Sequence, residues 1–235
     1  MRIEERPSPN FDARPSAGII DMLVLHYTGM KTAAEALDRL CDPAAKVSAH
    51  YLIEEDGRVW RLVEEAQRAW HAGVSSWQGR TDINAVSIGI ELVNPGHEFG
   101  YRPFPRPQIA ALETLATDIL RRHAIEPRLI LGHSDVAPQR KQDPGELFDW
   151  EGLAGAGIGF WPDFAAVADG DAPSTVEGLQ QVLRRIGYSC SASGAPDAET
   201  RAVIAAFQRH YRPSLCDGTA DDETRRRIAI VARGI

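Results

Sequence analysis

Residues 86–93, VSIGIELV, alternate without a break: Val86, Ile88, Ile90 and Leu92 point one way, and Ser87, Gly89 and Glu91 the other. Residues two apart share a face of a strand, so this segment belongs to a sheet with one apolar side packed on a core. The other side is small or charged, which leaves room above the sheet beside a carboxylate. Around this strand, strand-like and helix-like patterns take turns. MLVLH (22–26) is a short apolar run suited to a buried strand. Thr32 with Glu35 makes a capping box ahead of Ala36, Leu37, Leu40 and Cys41 on one helical face, and Pro43 stops the turn. VSAHYLI (47–53), the Asp56-Gly57 turn and RVWRLV (58–63) read as a β-hairpin. Within 108–123, Ile109, Leu112, Leu115, Ile119 and Leu120 recur at helical spacing, and RLILGH (128–133) is a further strand. Such interleaving predicts an α/β domain with a mixed central β-sheet flanked by helices.

The pattern changes after Pro162. The stretch that closes in Asp-Gly-Asp-Ala-Pro carries neither alternation nor a strong apolar face, and we place a linker at 164–173. It separates a domain at 1–163 from a second at 174–235, expected to be a small all-α three-helix domain. Val176, Leu179, Val182, Leu183 and Ile186 mark its first helix, ended by Gly187. Ala202, Val203, Ala206 and Phe207 mark its second, and a third runs from about 222 to 232. GAPDAET (194–200) and GTADDET (218–224) repeat one pattern, a glycine, a short loop, then Asp-x-Glu-Thr opening a helix.

Composition excludes several classes of function. With 33 Asp/Glu against 26 Lys/Arg, the formal net charge is −7. A nucleic-acid binder needs a basic excess to neutralise phosphates, so none is expected as partner. No apolar run approaches the roughly 20 residues of a membrane-spanning helix. The opening MRIEERPSPN has no apolar stretch behind its charges, so no signal peptide is read there. Three cysteines, Cys41, Cys190 and Cys216, form no C-x-x-C pair and are expected as reduced thiols, which favours the cytoplasm.

The candidate chemistry sits at strand ends and in loops. His26 ends one strand, His133 ends another, and Asp143 follows ten positions later in RKQDPG. Two imidazoles and a carboxylate are a ligand set that leaves a zinc position open for water. His50, mid-strand in SAHY, and His71, in WHAG, compete with them as ligands on spacing alone. Glu91 is either a solvated carboxylate or a general base in a cleft. Lys141, two residues before Asp143, faces the same cavity if that loop is extended. His97, His123 and His210 are assigned to surface or helix faces.

Six blocks in order, VLHYTG, KVSAHYLIEEDGRVWRLV, RAWHAGVS, SIGIELVNPG, ILGHSDVAPQRKQDPG and GIGFWP, resemble the zinc-dependent N-acetylmuramoyl-L-alanine amidases of the type 2 amidase family. That group is itself similar to the peptidoglycan recognition proteins and to phage T7-type lysozyme. The resemblance covers roughly residues 10–163. The segment with LQQVLRRIGY and the two Asp-x-Glu-Thr repeats resembles a three-helix peptidoglycan-binding module. Carried over block by block, the resemblance implies one Zn2+ per chain held by His26, His133 and Asp143. It implies Glu91 as catalytic carboxylate and Lys141 as catalytic lysine, and it places His50, Trp70 and His71 along the substrate cleft. The implied reaction cleaves the amide between N-acetylmuramic acid, or its 1,6-anhydro form, and the L-alanine of the stem peptide. Peptidoglycan fragments are the implied partner; no obligate protein partner is inferred. Two rivals share the pattern. One is a non-catalytic peptidoglycan recognition protein, which would lack the third ligand or the base. The other is a different zinc hydrolase, such as a peptidase. The wall-binding module suggests polymeric peptidoglycan, whereas a cytoplasmic setting suggests recycled anhydro-muropeptides and a module that packs on the amidase domain and shapes its cleft.

Overall fold

A computed structural model describes residues 2–15, 19–165 and 172–234. In chain order the elements of the first domain are β1 (Ile3–Glu5), β2 (Phe11–Ala13), β3 (Met22–Tyr27), α1 (Ala33–Cys41), β4 (Tyr51–Ile53), β5 (Val59–Arg61) and β6 (Gln67–Ala69). There follow α2 (Ile83–Val86), β7 (Ser87–Leu92), α3 (Gly96–Phe99), α4 (Arg106–Arg122), β8 (Ile130–Gly132), α5 (His133–Val136) and α6 (Trp150–Gly155). Six strands form one sheet in the order β1-β5-β4-β7-β3-β8, and β2 pairs with β6 apart from it. Only β4 and β5 run antiparallel within the large sheet; its other neighbours are parallel. The sheet is therefore mixed, as the interleaved patterns predict.

Alternation along β7 sets the layers. Ile88, Ile90 and Leu92 join the main core together with Leu23, Leu25 and the buried stripe Leu112, Leu115, Ala116 and Ile119 of α4. Burying a side chain of this size is worth about 1.5–3 kcal/mol, so this face carries most of the sheet's attachment to its helix. Across the sheet, Leu52 and Val93 pack with Ala36, Leu37 and Leu40 of α1 in a smaller cluster. Thr32 accepts the Glu35 N–H at 3.2 Å and starts α1 where the sequence places its cap. Gln108, the first buried residue of α4, donates to the carbonyls of Ile53 (2.9 Å) and Val93 (3.0 Å), tying the helix to the ends of β4 and β7.

The hairpin is shorter than its pattern suggests. Its strands cover only 51–53 and 59–61, because Ser48 turns aside to bond Asn10 and Trp70. The strand expected over 128–133 likewise splits into a 3-10 turn, β8 and the start of α5, so His133 opens a helix rather than ending a strand.

The helical module contains α7 (Val176–Ile186), α8 (Ala198–Tyr211) and α9 (Asp222–Arg233). The linker expected at 164–173 lies mostly outside the described residues. The sequence duplication is a structural one. Asp197 and Asp221 cap α8 and α9 by accepting the N–H groups of Thr200 and Thr224. One buried glutamine clasps each preceding loop: Gln180 bonds Gly194, Ala195 and Thr200, and Gln208 bonds Gly218, Thr219 and Thr224. The module packs on the first domain. Tyr188 meets Trp77 edge-on, and His210 of α8 stacks on Trp150 with ring centroids 3.8 Å apart.

Candidate active site

Three parallel neighbours, β7, β3 and β8, bring their carboxyl ends to one edge of the sheet, the place where open α/β sheets form ligand crevices. His26 sits near the end of β3 in register with Glu91 of β7, so the two side chains share a face on adjacent strands. His133 follows β8 directly, and the loop after α5 returns Asp143, whose backbone carbonyl accepts from the Ser134 N–H at 2.9 Å. The three side chains converge. His26 Nδ1 lies 2.9 Å from His133 Nδ1 and 3.1 Å from Asp143 Oδ2, and His133 Nδ1 lies 3.0 Å from the same oxygen. All three are buried.

The donor set fits a cation. His133 Nε2 faces the Ala72 carbonyl at 3.1 Å; a carbonyl only accepts, so Nε2 carries the hydrogen and Nδ1 presents a lone pair. Burial works to raise the Asp143 carboxyl, and it is positive charge at the neighbouring His133 and His26 positions that outweighs burial and holds the group well below the usual carboxylate range. A lone pair and a carboxylate oxygen thus sit 3.0 Å apart with no hydrogen between them, an arrangement that a positive ion relieves. Burial, and then neighbouring His133, push the His26 imidazole down to about 4, which keeps it neutral and able to act as a ligand.

Glu91 is 8% exposed, and its Oε2 has no hydrogen-bond partner among the described residues. Burial first, and then the Asp143 charge, push its carboxyl well above the ordinary value. It therefore binds a proton readily, the property a general base needs. The solvated reading of Glu91 is set aside by this burial. A cavity of about 430 Å³ opens over the cluster, lined by Glu91, His133 and Asp143 together with Lys141, Arg39 and Arg140. Lys141 lines this cavity although the loop ahead of it is a turn rather than extended, its N–H bonding back to the Ala137 carbonyl at 3.0 Å.

The three residues expected along the cleft part company. His71 lines the cavity, with its ring over Gly89. His50 does not reach it: the ring is fully buried, its Nδ1 accepts the Gly89 N–H at 2.9 Å, and its Nε2 lies 3.1 Å from the Gln67 carbonyl. Burial, with Arg14 beside it, lowers its imidazole to about 3. It is a core histidine that ties β7 to β6. Trp70 turns its indole N–H to Asp12 at 2.7 Å, over β2, and is not part of the cavity wall. The three histidines assigned to surface or helix faces all lie in or at the end of a helix. His97 lines the cavity and meets the Tyr27 hydroxyl at 2.9 Å, whereas His210 is buried against Asp135 at 2.7 Å in the contact between the domains. His123 sits 2.7 Å from Glu65, partly buried at the end of α4. Tyr27 itself follows His26 in the VLHYTG block, and burial, with Asp143, raises its hydroxyl to about 12.

Residues 16–146 match the family model described as N-acetylmuramoyl-L-alanine amidase. The chain belongs to that amidase family. Residues 173–228 match a second model, a putative peptidoglycan binding domain, in the region of the three helices. The amidase is 44% identical over 223 residues to N-acetylmuramoyl-L-alanine amidase AmiD of Escherichia coli, covering 87% of this chain and 79% of that protein. It is 38% identical over 162 residues to 1,6-anhydro-N-acetylmuramyl-L-alanine amidase AmpD of Haemophilus influenzae, covering 61% of this chain and 86% of that one. Among solved structures, E. coli AmiD in complex with anhydro-N-acetylmuramic acid-L-Ala-D-gamma-Glu-L-Lys superimposes with a TM-score of 0.81 at 41% identity. That match covers 93% of this chain and 92% of the other. AmpDh3 of Pseudomonas aeruginosa with anhydromuramic pentapeptide gives 0.79 at 36% identity, covering 96% and 94%. The amidase hydrolyses the bond between N-acetylmuramic acid and the L-alanine of the stem peptide.

Proposed function

We propose that this amidase is zinc-dependent, that His26, His133 and Asp143 hold one Zn2+ per chain, and that soluble anhydro-muropeptides are its substrates. The observation that carries the reading is the meeting of three ligand atoms about 3 Å apart beside an unpartnered, proton-seeking carboxyl in one cavity. Two neutral imidazoles and one carboxylate leave a dication with residual positive charge. Bound there, zinc supplies Lewis acidity and lowers the pKa of water toward neutrality.

The remaining steps belong to the protein. Glu91 takes the proton of the attacking water and delivers it to the departing amine, which makes a poor leaving group leave neutral. Lys141 places an ammonium on the cavity wall, where it offsets the charge developing on the carbonyl oxygen. Arg140 donates to the carbonyls of Ala72 and Val74, holding the loop that forms one rim. Asp143, Glu91 and Lys141 all stand in the cavity, which argues against a recognition protein that binds without cutting.

The soluble substrate is favoured by the anhydro sugar in the ligands of both AmiD and AmpDh3. It is favoured too by the helical module, which turns His210 and Tyr188 inward onto the first domain. Three unpaired cysteines suit a reducing cytoplasm, and no described helix is long and apolar enough to cross a membrane. The test is mass spectrometry of products from soluble anhydro-muropeptides and from intact sacculi, run side by side with zinc-loaded and chelated protein. Peptides beginning with L-alanine should appear from the soluble substrate, and only with zinc. Faster release from sacculi, or turnover indifferent to chelation, would reject the reading.

A further inference from the structure

His71 touches both the cavity and the back of a proposed ligand, and its hydrogen bonds determine which of these roles it fills. We infer that His71 and Ser87 are positioning residues: they form a relay, anchored on the Ile83 carbonyl, that fixes His26 as the Nε2–H tautomer and so reserves its Nδ1 lone pair for the metal.

The relay is read from its fixed end. Ser87 Oγ lies 2.6 Å from the Ile83 carbonyl oxygen. A carbonyl cannot donate, so the single hydroxyl hydrogen of Ser87 points there. The other contact of that oxygen, His71 Nε2 at 3.1 Å, must then be a donor, and Nε2 carries the hydrogen of the neutral ring. His71 Nδ1 is left with a lone pair, and it faces His26 Nε2 at 3.0 Å. His26 consequently holds its hydrogen on Nε2. Its Nδ1, the atom near His133 and Asp143, has none.

The surroundings are built for this ring. A Cβ at Gly89 would stand 2.4 Å from the His71 ring, so the missing side chain in β7 is the space His71 occupies. Asn84 Oδ1 accepts the N–H groups of both His71 (3.1 Å) and Ala72 (2.8 Å). The same dipeptide therefore serves both ligands, through the His71 ring to His26 and through the Ala72 carbonyl to His133. Outer partners that fix a ligand's tautomer typically change metal affinity by about 10–100-fold when removed. A residue that only contacted substrate would leave metal affinity alone.

The inference rests on the metal site proposed above, and the experiment separates the two. Zinc dissociation constants are measured by chelator competition for the full chain and for His71→Leu, His71→Asn and Ser87→Ala. Long-range 1H–15N spectra of histidine-labelled wild type, metal-free and zinc-loaded, report each tautomer. Wild type should bind zinc stoichiometrically and show His26 and His71 as Nε2–H in both states. His71→Leu should weaken zinc binding by about 10–100-fold. His71→Asn, whose carbonyl oxygen can stand where Nδ1 stands, should restore affinity to near the wild-type value. Ser87→Ala should weaken zinc binding less than His71→Leu and populate the Nδ1–H form of His71. An Nδ1–H tautomer at His71 or His26 in the wild type, or wild-type affinity in a folded His71→Leu, overturns the relay. If His71→Leu fails to fold, the wild-type spectra and Ser87→Ala decide it. A wild type that binds no zinc would refute the metal site instead, while the metal-free spectrum still reads the relay.

Discussion

Two buried clusters of histidine and aspartate lie on either side of α5, and they differ in kind. On the cavity side, His26, His133 and Asp143 turn acceptor atoms toward one another at about 3 Å. On the far side, Asp135 has a donor for each oxygen: the Tyr188 hydroxyl at 2.6 Å on Oδ1, and the Gly132 N–H at 2.8 Å and His210 Nδ1 at 2.7 Å on Oδ2. Residue types barely distinguish the two. Hydrogen-bond matching does, because each Asp135 oxygen in the second cluster has a donor, whereas the first sets acceptor against acceptor and lacks positive charge at its centre. The first is a site and the second is a joint between domains.

The largest effect should come from deepening that imbalance. Asp143→Ala leaves two neutral imidazoles and no anion to hold a dication. Zinc affinity should fall by more than the about 10–100-fold that outer-shell changes cost. Hydrolysis should fall with it, and elemental analysis of the purified variant should find little zinc. Normal zinc content would mean that Asp143 is not a ligand and would erase the contrast between the clusters.

Glu91→Gln comes next, because it alters the unpartnered carboxyl without touching a ligand. Turnover should drop by about 10²–10⁴-fold while zinc content stays stoichiometric. Stability should move the other way. The Glu91 carboxyl is raised well above 4.5 in the folded chain, so the folded state holds this proton more tightly than the unfolded state does. Its stabilising effect is present below pH 4.5 and is lost as the pH rises through the folded value. In metal-free protein at pH 7.5, the glutamine should therefore be more stable by about 1–3 kcal/mol, and near pH 4 by much less. Thermal melts at the two pH values check the sign. Lys141→Ala should cost about 10²–10³-fold in turnover with zinc retained, as the loss of one oxyanion donor does.

How much of this was legible in the sequence follows from the range of each interaction. The β7 pattern gives the sheet, its core face and a carboxylate on the open side, since alternation is local. His26 and His133 at strand ends mark a candidate centre, but only the resemblance chose them over His50 and His71. The choice depends on tertiary packing that spacing does not encode. His50 is used up by Gly89 N–H, whereas His71 reaches the site over the same glycine, so the isolated Gly89 was the one available signal for a ring packed there. The Asp-x-Glu-Thr duplication was visible, yet the clasping Gln180 and Gln208 sit in helices outside the repeated motif. Asp135 was least legible of all: beyond the local Gly132 N–H, its two side-chain partners are 53 and 75 residues away, on another domain, and no local pattern announces them.

Tyr188→Phe gives the smallest effect and tests the joint most cleanly. It removes one hydroxyl and keeps the ring that packs against Trp77. Asp135 Oδ1 then loses its donor in a buried setting, while Oδ2 keeps Gly132 and His210. A hydrogen bond to a charged group is worth about 1.5–3 kcal/mol, so unfolding free energy should fall by about that amount. Zinc affinity should stay at the wild-type value, because the remaining bond from Gly132 still holds the start of α5, where His133 sits. Equilibrium unfolding and chelator competition on the same preparation give both numbers. Lowered stability with unchanged metal binding keeps the two clusters independent across α5. If zinc affinity fell in step with stability, the helical module would be acting on the metal centre through Asp135, and the joint would be part of the site.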